Sequence, residues 1–79
     1  MDIILELKGG LKNFNKLPNN SKNMKLNLKS KSIILDCANQ LSIPKEQIVL
    51  ITVNKKVSSF DFELRDGDRV VFYPPICGG

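Results

Sequence analysis

The sequence predicts an α+β domain, one mixed sheet of about five strands packed on a single main helix. Three observations carry this. Several short runs alternate apolar and polar residues at a period of two, the mark of half-buried strands. Only one segment, Ile33 to Leu41, repeats its apolar residues at helical spacing. At 79 residues the chain makes one small domain. A domain of that size buries roughly 60% of its unfolded surface, and one helix has one sheet face to cover.

Ile3, Leu5 and Leu7 alternate with Ile4, Glu6 and Lys8, which predicts a first strand ended by Gly9-Gly10. Residues 9 to 23 are rich in Gly, Asn and Pro and read as a loop, pinned to the body by Leu11, Phe14 and Leu17. A second strand follows at Met24 to Lys29, with Met24, Leu26 and Leu28 on one face and Lys25, Asn27 and Lys29 on the other. In the helix, Ile33, Ile34, Cys37, Ala38 and Leu41 fall within an arc of about 140°, the width of a core-facing stripe. Ser30 or Ser32 is the expected N-cap, and Pro44 stops the helix, with Ile43 folding back under its end. Cys37 lies inside the stripe and reads as an inert packing residue.

Val49 to Val53 is β-branched and dense enough to be a central strand. Asn54-Lys55 turns it into a short strand around Val57, because Asn tolerates left-handed backbone angles. Phe60, Phe62 and Leu64 are expected core anchors. Asp66-Gly67-Asp68 makes a tight turn into the final strand, Arg69 to Tyr73. The order strand, strand, helix, strand, short strand, strand suits a β-grasp. Residues 1–79 form a single domain in this reading, with 74–79 a flexible C-terminal tail.

Composition narrows function mainly by exclusion. There is no histidine, which removes imidazole catalysis and most transition-metal sites. Two cysteines are too few for a disulfide framework. No apolar run approaches the ~20 residues that span a bilayer, so no membrane partner is expected. The acidic, strand-like start lacks the pattern of a signal peptide, and a cytoplasmic location follows as the expectation. The net charge is +4, with Lys8, Lys12, Lys16, Lys22, Lys25, Lys29 and Lys31 in a stretch free of acidic residues. Lysines guard exposed strand edges, and Phe14 is the only aromatic in that stretch; nucleic acid is disfavoured.

The most informative feature is the end of the sequence. Gly78-Gly79 follows the strand-like Arg69-Val70-Val71-Phe72-Tyr73 and a stiff Pro74-Pro75-Ile76-Cys77 spacer. Ordered glycine carries a large entropic cost, so two of them add nothing to a fold. They do let a chain end thread a narrow slot, because no Cβ blocks the passage. Pro74-Pro75 lower the cost of ordering the segment and hold it off the domain. Tyr73 alternates with core-facing Phe72 and should show its ring on the outer face.

Val53-Asn54-Lys55-Lys56-Val57-Ser58-Ser59-Phe60-Asp61, and the run from Leu64 through Asp66-Gly67-Asp68 to Tyr73-Pro74-Pro75 and Gly78-Gly79, resemble the ubiquitin-like sulfur carriers. The resemblance is closest to the small subunit of molybdopterin synthase, with the thiamine-pathway carrier second. It is specific over about the last 27 residues and one of pattern elsewhere. At Leu41-Ser42-Ile43-Pro44 the family more often has Gly in place of Ser42.

The resemblance implies a ubiquitin-like fold and a defined chemistry. A partner enzyme related to ubiquitin activators uses ATP to adenylate the Gly79 carboxylate. Sulfur from a persulfide then replaces AMP and leaves a thiocarboxylate. The tail, Pro74, Pro75, Ile76, Cys77 and Gly78, threads into the large subunit of molybdopterin synthase (or a thiazole synthase), where the sulfur is donated. Val57 matches a partner-contacting position and joins Tyr73 as an interface anchor. The chain is thus a carrier, not an enzyme on its own, and binds neither cofactor nor metal. The family usually has a small or polar residue at Cys77; an unperturbed thiol pKa near 8.5 leaves it mostly protonated, and it reads as a spacer. A carrier for another sulfur metabolite, a ubiquitin-like protein modifier and an inert interaction domain stand as alternatives.

Overall fold

The computed structural model describes residues 1–14 and 23–75. Period-two alternation places Ile3, Leu5 and Leu7 inward in β1 (Asp2–Leu7) and Met24 and Leu26 inward in β2 (Asn23–Asn27). One helix follows, α1 (Ile34–Gln40), then β3 (Leu50–Val53), β4 (Lys56–Ser58) and β5 (Arg69–Tyr73). The five strands form one sheet in the order β2-β1-β5-β3-β4. β1 and β5 run parallel, with Leu5 beside Val70 and Leu7 beside Phe72, and the other pairings are antiparallel. The expected architecture is therefore present. The core gathers Ile3, Leu5, Ile34, Cys37, Val70 and Phe72, each fully buried, between the helix and one sheet face.

Four local expectations are corrected. Residues 9 to 14 are a 3-10 helix (Gly9–Phe14) instead of loop, because Leu11 is drawn into the core at 1% exposure and its N–H closes on the Lys8 carbonyl at 3.0 Å. Phe14 packs on the same cluster, while Leu17 lies outside the described residues.

The helix is not capped by Ser30 or Ser32; Ser32 Oγ donates instead to the Lys29 carbonyl at 2.7 Å. Ile33 is the N-cap, and its N–H donates to Asp36 Oδ2 at 2.8 Å, half of a capping box. The next two free donors, Ile34 N and Leu35 N, reach the carbonyls of Phe62 and Phe60 at 3.1 and 3.0 Å. These orphan donors are thus satisfied from a distant segment.

At the other end Ser42 takes φ 57° as the C′ residue. Its N–H donates to the Asn39 carbonyl at 3.1 Å, and Ile43 N donates to the Ala38 carbonyl at 2.9 Å. This is a Schellman closure, made without the usual glycine. Ile43 tucks under the helix at 3% exposure, as expected.

The strand expected at Val49–Val53 starts at Leu50 instead; it is paired on both sides, as a central strand should be, and the middle place of the sheet goes to β5. β3 lies one place further out, and Val49 at 63% exposure sits outside the strand. A dense β-branched run signals pairing on both sides, which β3 has, but says nothing of rank order. Finally, Leu64 is buried and Phe60 partly so, but Phe62 is 41% exposed. Its carbonyl serves the helix while its ring is left at the surface.

Candidate functional site

The site is built on β5. The turn before it uses Gly67 at φ 87°, a left-handed angle that suits glycine. Asp68 is the one buried charged residue among those described, and its carboxylate is fully used. Oδ2 accepts from Arg65 N at 2.9 Å and Oδ1 from Asn54 Nδ2 at 3.0 Å. Gly67 N donates to the Asp2 carbonyl at 2.7 Å, Asp2 N to Asp66 Oδ1 at 2.7 Å, and Ile4 N to the Asp68 carbonyl at 2.9 Å. The Asp-Gly-Asp turn is therefore riveted to the start of β1.

Asn54 does more than turn the β3–β4 hairpin, where it and Lys55 take φ 51° and 72°. Its Oδ1 accepts from Arg69 N at 3.0 Å, and its N–H donates to the Arg69 carbonyl at 2.8 Å. The far end of β5 is held on both sides. Lys8 N donates to the Phe72 carbonyl at 3.1 Å, and Val49 N to the Tyr73 carbonyl at 2.9 Å. The whole of β5, up to Tyr73, is thus tied into the sheet by its neighbours on both sides.

Alternation along β5 sends Val70 and Phe72 into the core and leaves Val71 and Tyr73 half-buried on the opposite face. The register sets Val57, Thr52 and Val71 in one row across β4, β3 and β5, and Leu50 beside Tyr73 in the next. Val57 and Tyr73, singled out from the sequence, thus share one open face, two strands apart. Val57 is 74% exposed. Leu50, at 41% exposure, lies against Tyr73 and was missed. Its outward direction could have been read from the alternation of Leu50 and Thr52 with Ile51 and Val53.

Further along this face the character turns polar. On β1, Glu6 pairs with Lys8, and that contact raises the lysine's pKa. The amide of Asn27 holds the Asp2 carboxyl below its ordinary range, with Lys25 at 3.7 Å adding to the effect. Lys25, Lys29 and Lys31 are exposed along the β2 edge and the loop after it, whereas Lys16 and Lys22 lie outside the described residues.

Pro74 is half-buried and Pro75 exposed. Ile76, Cys77, Gly78 and Gly79 lie outside the described residues. Cys37 is buried, and desolvation, helped by the Asp36 charge, pushes its thiol up to about 12. Among the described residues no three of Cys, Asp and Glu come together as a metal-binding set, and no helix is long and apolar enough to cross a membrane.

A mixed sheet in this strand order, with one helix on one face and a bare, partly apolar second face, defines a β-grasp, ubiquitin-like protein. The chain belongs to the Mut7-C ubiquitin family, whose model matches residues 1–77. It is also similar to the molybdopterin synthase sulfur carrier subunit of Escherichia coli (strain K12), with 52% identity over 31 residues. That match covers 39% of this chain and 38% of the relative. Among solved structures, SAMP1 from Haloferax volcanii superposes with a TM-score of 0.75 at 12% identity over the whole of both chains. A structure described as the complex of subunits 1 and 2 of the molybdopterin-converting factor from Helicobacter pylori gives a TM-score of 0.62 at 21% identity, again over the whole of both chains.

Proposed function

We propose that this protein is a sulfur carrier that works as the small subunit of a molybdopterin synthase in the cytoplasm. The observation that carries the reading is where the tail starts. The segment leading to Gly78-Gly79 leaves the central strand, β5, beside an open face bearing Tyr73, Leu50 and Val57. A partner that grips this face would hold the start of the tail in a fixed place relative to its own active site. The local identity to a sulfur carrier subunit supports the same reading.

In the proposed chemistry, a carboxylate oxygen of Gly79, the last residue of the sequence, attacks the α-phosphate of ATP on an activating enzyme and releases pyrophosphate. The acyl adenylate has a good leaving group, which a carboxylate lacks. The terminal sulfur of a persulfide attacks the carbonyl carbon and AMP departs. A thiol then cleaves the acyl disulfide, leaving a thiocarboxylate on Gly79 and a disulfide on the donor. The soft thiocarboxylate sulfur is delivered to the pterin precursor inside the large subunit. Pro74, Pro75, Ile76, Cys77 and Gly78 form the threaded segment, with Cys77 a spacer within it.

Intact mass spectrometry tests this after incubation with ATP, an activating enzyme and a sulfur donor. The expected result is replacement of one oxygen by sulfur, localised to Gly79, followed by its loss when the large synthase subunit and precursor are added. Discharge only to a thiazole synthase would redirect the product. Absence of the exchange, or Gly-Gly remnants joined to lysines of other proteins, would overturn the carrier reading.

A further inference from the structure

We propose that Gly9 is a positioning residue for the tail: its missing side chain provides the surface on which Pro74 rests, and so sets the direction in which the chain leaves the body. The inference rests on the carrier reading for its functional consequence, but on geometry for its existence.

The hydrogen bonds from Lys8 N to Phe72 and from Val49 N to Tyr73 hold the backbone as far as Tyr73. The proline that follows has its φ locked by the ring and keeps Tyr73 extended. What stops the segment from swinging about the Tyr73–Pro74 link is contact. Pro74 is half-buried although it lies beyond the last strand.

Gly9 takes φ +52°, and a Cβ built on it would stand 2.8 Å from Pro74 Cγ and 3.6 Å from Cδ. The first distance is well inside the ~3.5 Å of ordinary carbon–carbon contact. A proline ring cannot bend away as the tip of a long side chain can, so the ring, and the chain it belongs to, would have to shift. The other described glycines supply the contrast. A Cβ on Gly10 or on Gly67 meets nothing within 4 Å, although Gly67 also has positive φ, +87°. Among the described glycines Gly9 alone combines the left-handed angle with a close neighbour, and that neighbour is Pro74, the first residue after β5.

Asparagine tolerates positive φ, so Gly9→Asn adds a Cβ while keeping the backbone angle. Gly67→Asn controls for the angle and Gly10→Ala for a Cβ near the same turn. In the sulfur-acceptance reaction, Gly9→Asn should lower kcat/KM by about 10-fold or more, since displacements of the order of 1 Å at a reacting group are that costly. Both controls should stay within about 2-fold by the same reasoning. When the ring is first removed by Pro74→Ala, adding Gly9→Asn should cost no more than about 2-fold relative to that parent.

Equal losses in the two backgrounds, or wild-type rates for Gly9→Asn, would overturn the proposal. A structural arm stands apart from the chemistry. The wild-type protein should show nuclear Overhauser contacts between the Gly9 α-protons and the Pro74 ring, lost in Gly9→Asn. If those contacts are missing in the wild type, the inference fails whatever the transfer rates. If they are present but no sulfur is accepted, the carrier reading fails and the positioning contact stands.

Discussion

On the helix side of the sheet, Leu5, Val70 and Phe72 are fully buried and Ile51 and Val53 are at most 5% exposed. On the opposite side, Ile4, Val71, Thr52 and Tyr73 are half-buried, and Leu50 and Val57 stand 41% and 74% exposed. The same strands supply both faces, because each successive side chain points the other way. One face is closed by the helix and holds the fold together. The other leaves Leu50 and Val57 exposed and is the face proposed to meet a partner. Substitutions a single position apart should therefore have opposite consequences, one for folding and one for binding.

Phe72→Ala should give the largest effect on the closed face. Removing the largest fully buried side chain should lower the unfolding free energy by about 3–5 kcal/mol in urea titration. A loss under 1 kcal/mol would mean that the two faces are not divided as described.

Cys37 probes the same face chemically. Its thiol is raised from 9.0 to about 12 by burial, so alkylation of the folded protein should be slower than in urea by on the order of 100-fold. The sign of the pH dependence follows. The unfolded thiol ionises first, so this group leaves stability level below pH 9.0 and erodes it as the pH climbs toward about 12. Peptide mapping of the labelled protein reads the first, and alkaline denaturation of wild type against Cys37→Ala reads the second.

Asp68 sharpens the comparison, since it is polar yet lies on the stabilising side. Asp68→Ala leaves Arg65 N and Asn54 Nδ2 without their acceptor and should cost about 1–3 kcal/mol. Ser42 sharpens it from the other direction, being exposed at the end of the helix. Ser42→Gly should raise stability by about 1 kcal/mol, because the residue occupies φ 57°.

The smallest effect on stability belongs to the open face. Val57→Asp should change the unfolding free energy by no more than about 0.5 kcal/mol. The same variant should weaken capture by the large synthase subunit by about 2 kcal/mol, measured by calorimetry. Normal binding by this variant would remove Val57 from the proposed interface.

How much could be read in advance varied with how local the cause was. The alternation in β1, β2 and β5 was legible because the period-two pattern sits within five or six neighbours. So was the Asn54-Lys55 turn, whose angles depend on those two residues. The helix cap was misplaced because Ser32 is spent on the Lys29 carbonyl, and the free donors of the first turn, Ile34 N and Leu35 N, are met by Phe62 and Phe60, 28 and 25 residues away in sequence. Phe62 looked like core for want of any signal that its backbone, and not its ring, was the part in use. Leu50 was concealed because the run Val49 to Val53 reads only as a central strand, with no assignment of its residues to faces.

The sequence by itself determined which segments are strands, where the helix runs and which turns are tight. Those properties follow from side-chain order and from the angles that single residues allow. Only the tertiary structure decided that β5 lies at the centre, that Val57, Leu50 and Tyr73 share one open face, and that Gly9 meets Pro74. These depend on residues 16 to 65 positions apart being brought together. Burial and hydrogen bonding set such pairings through the whole fold, and no short window of the chain contains them.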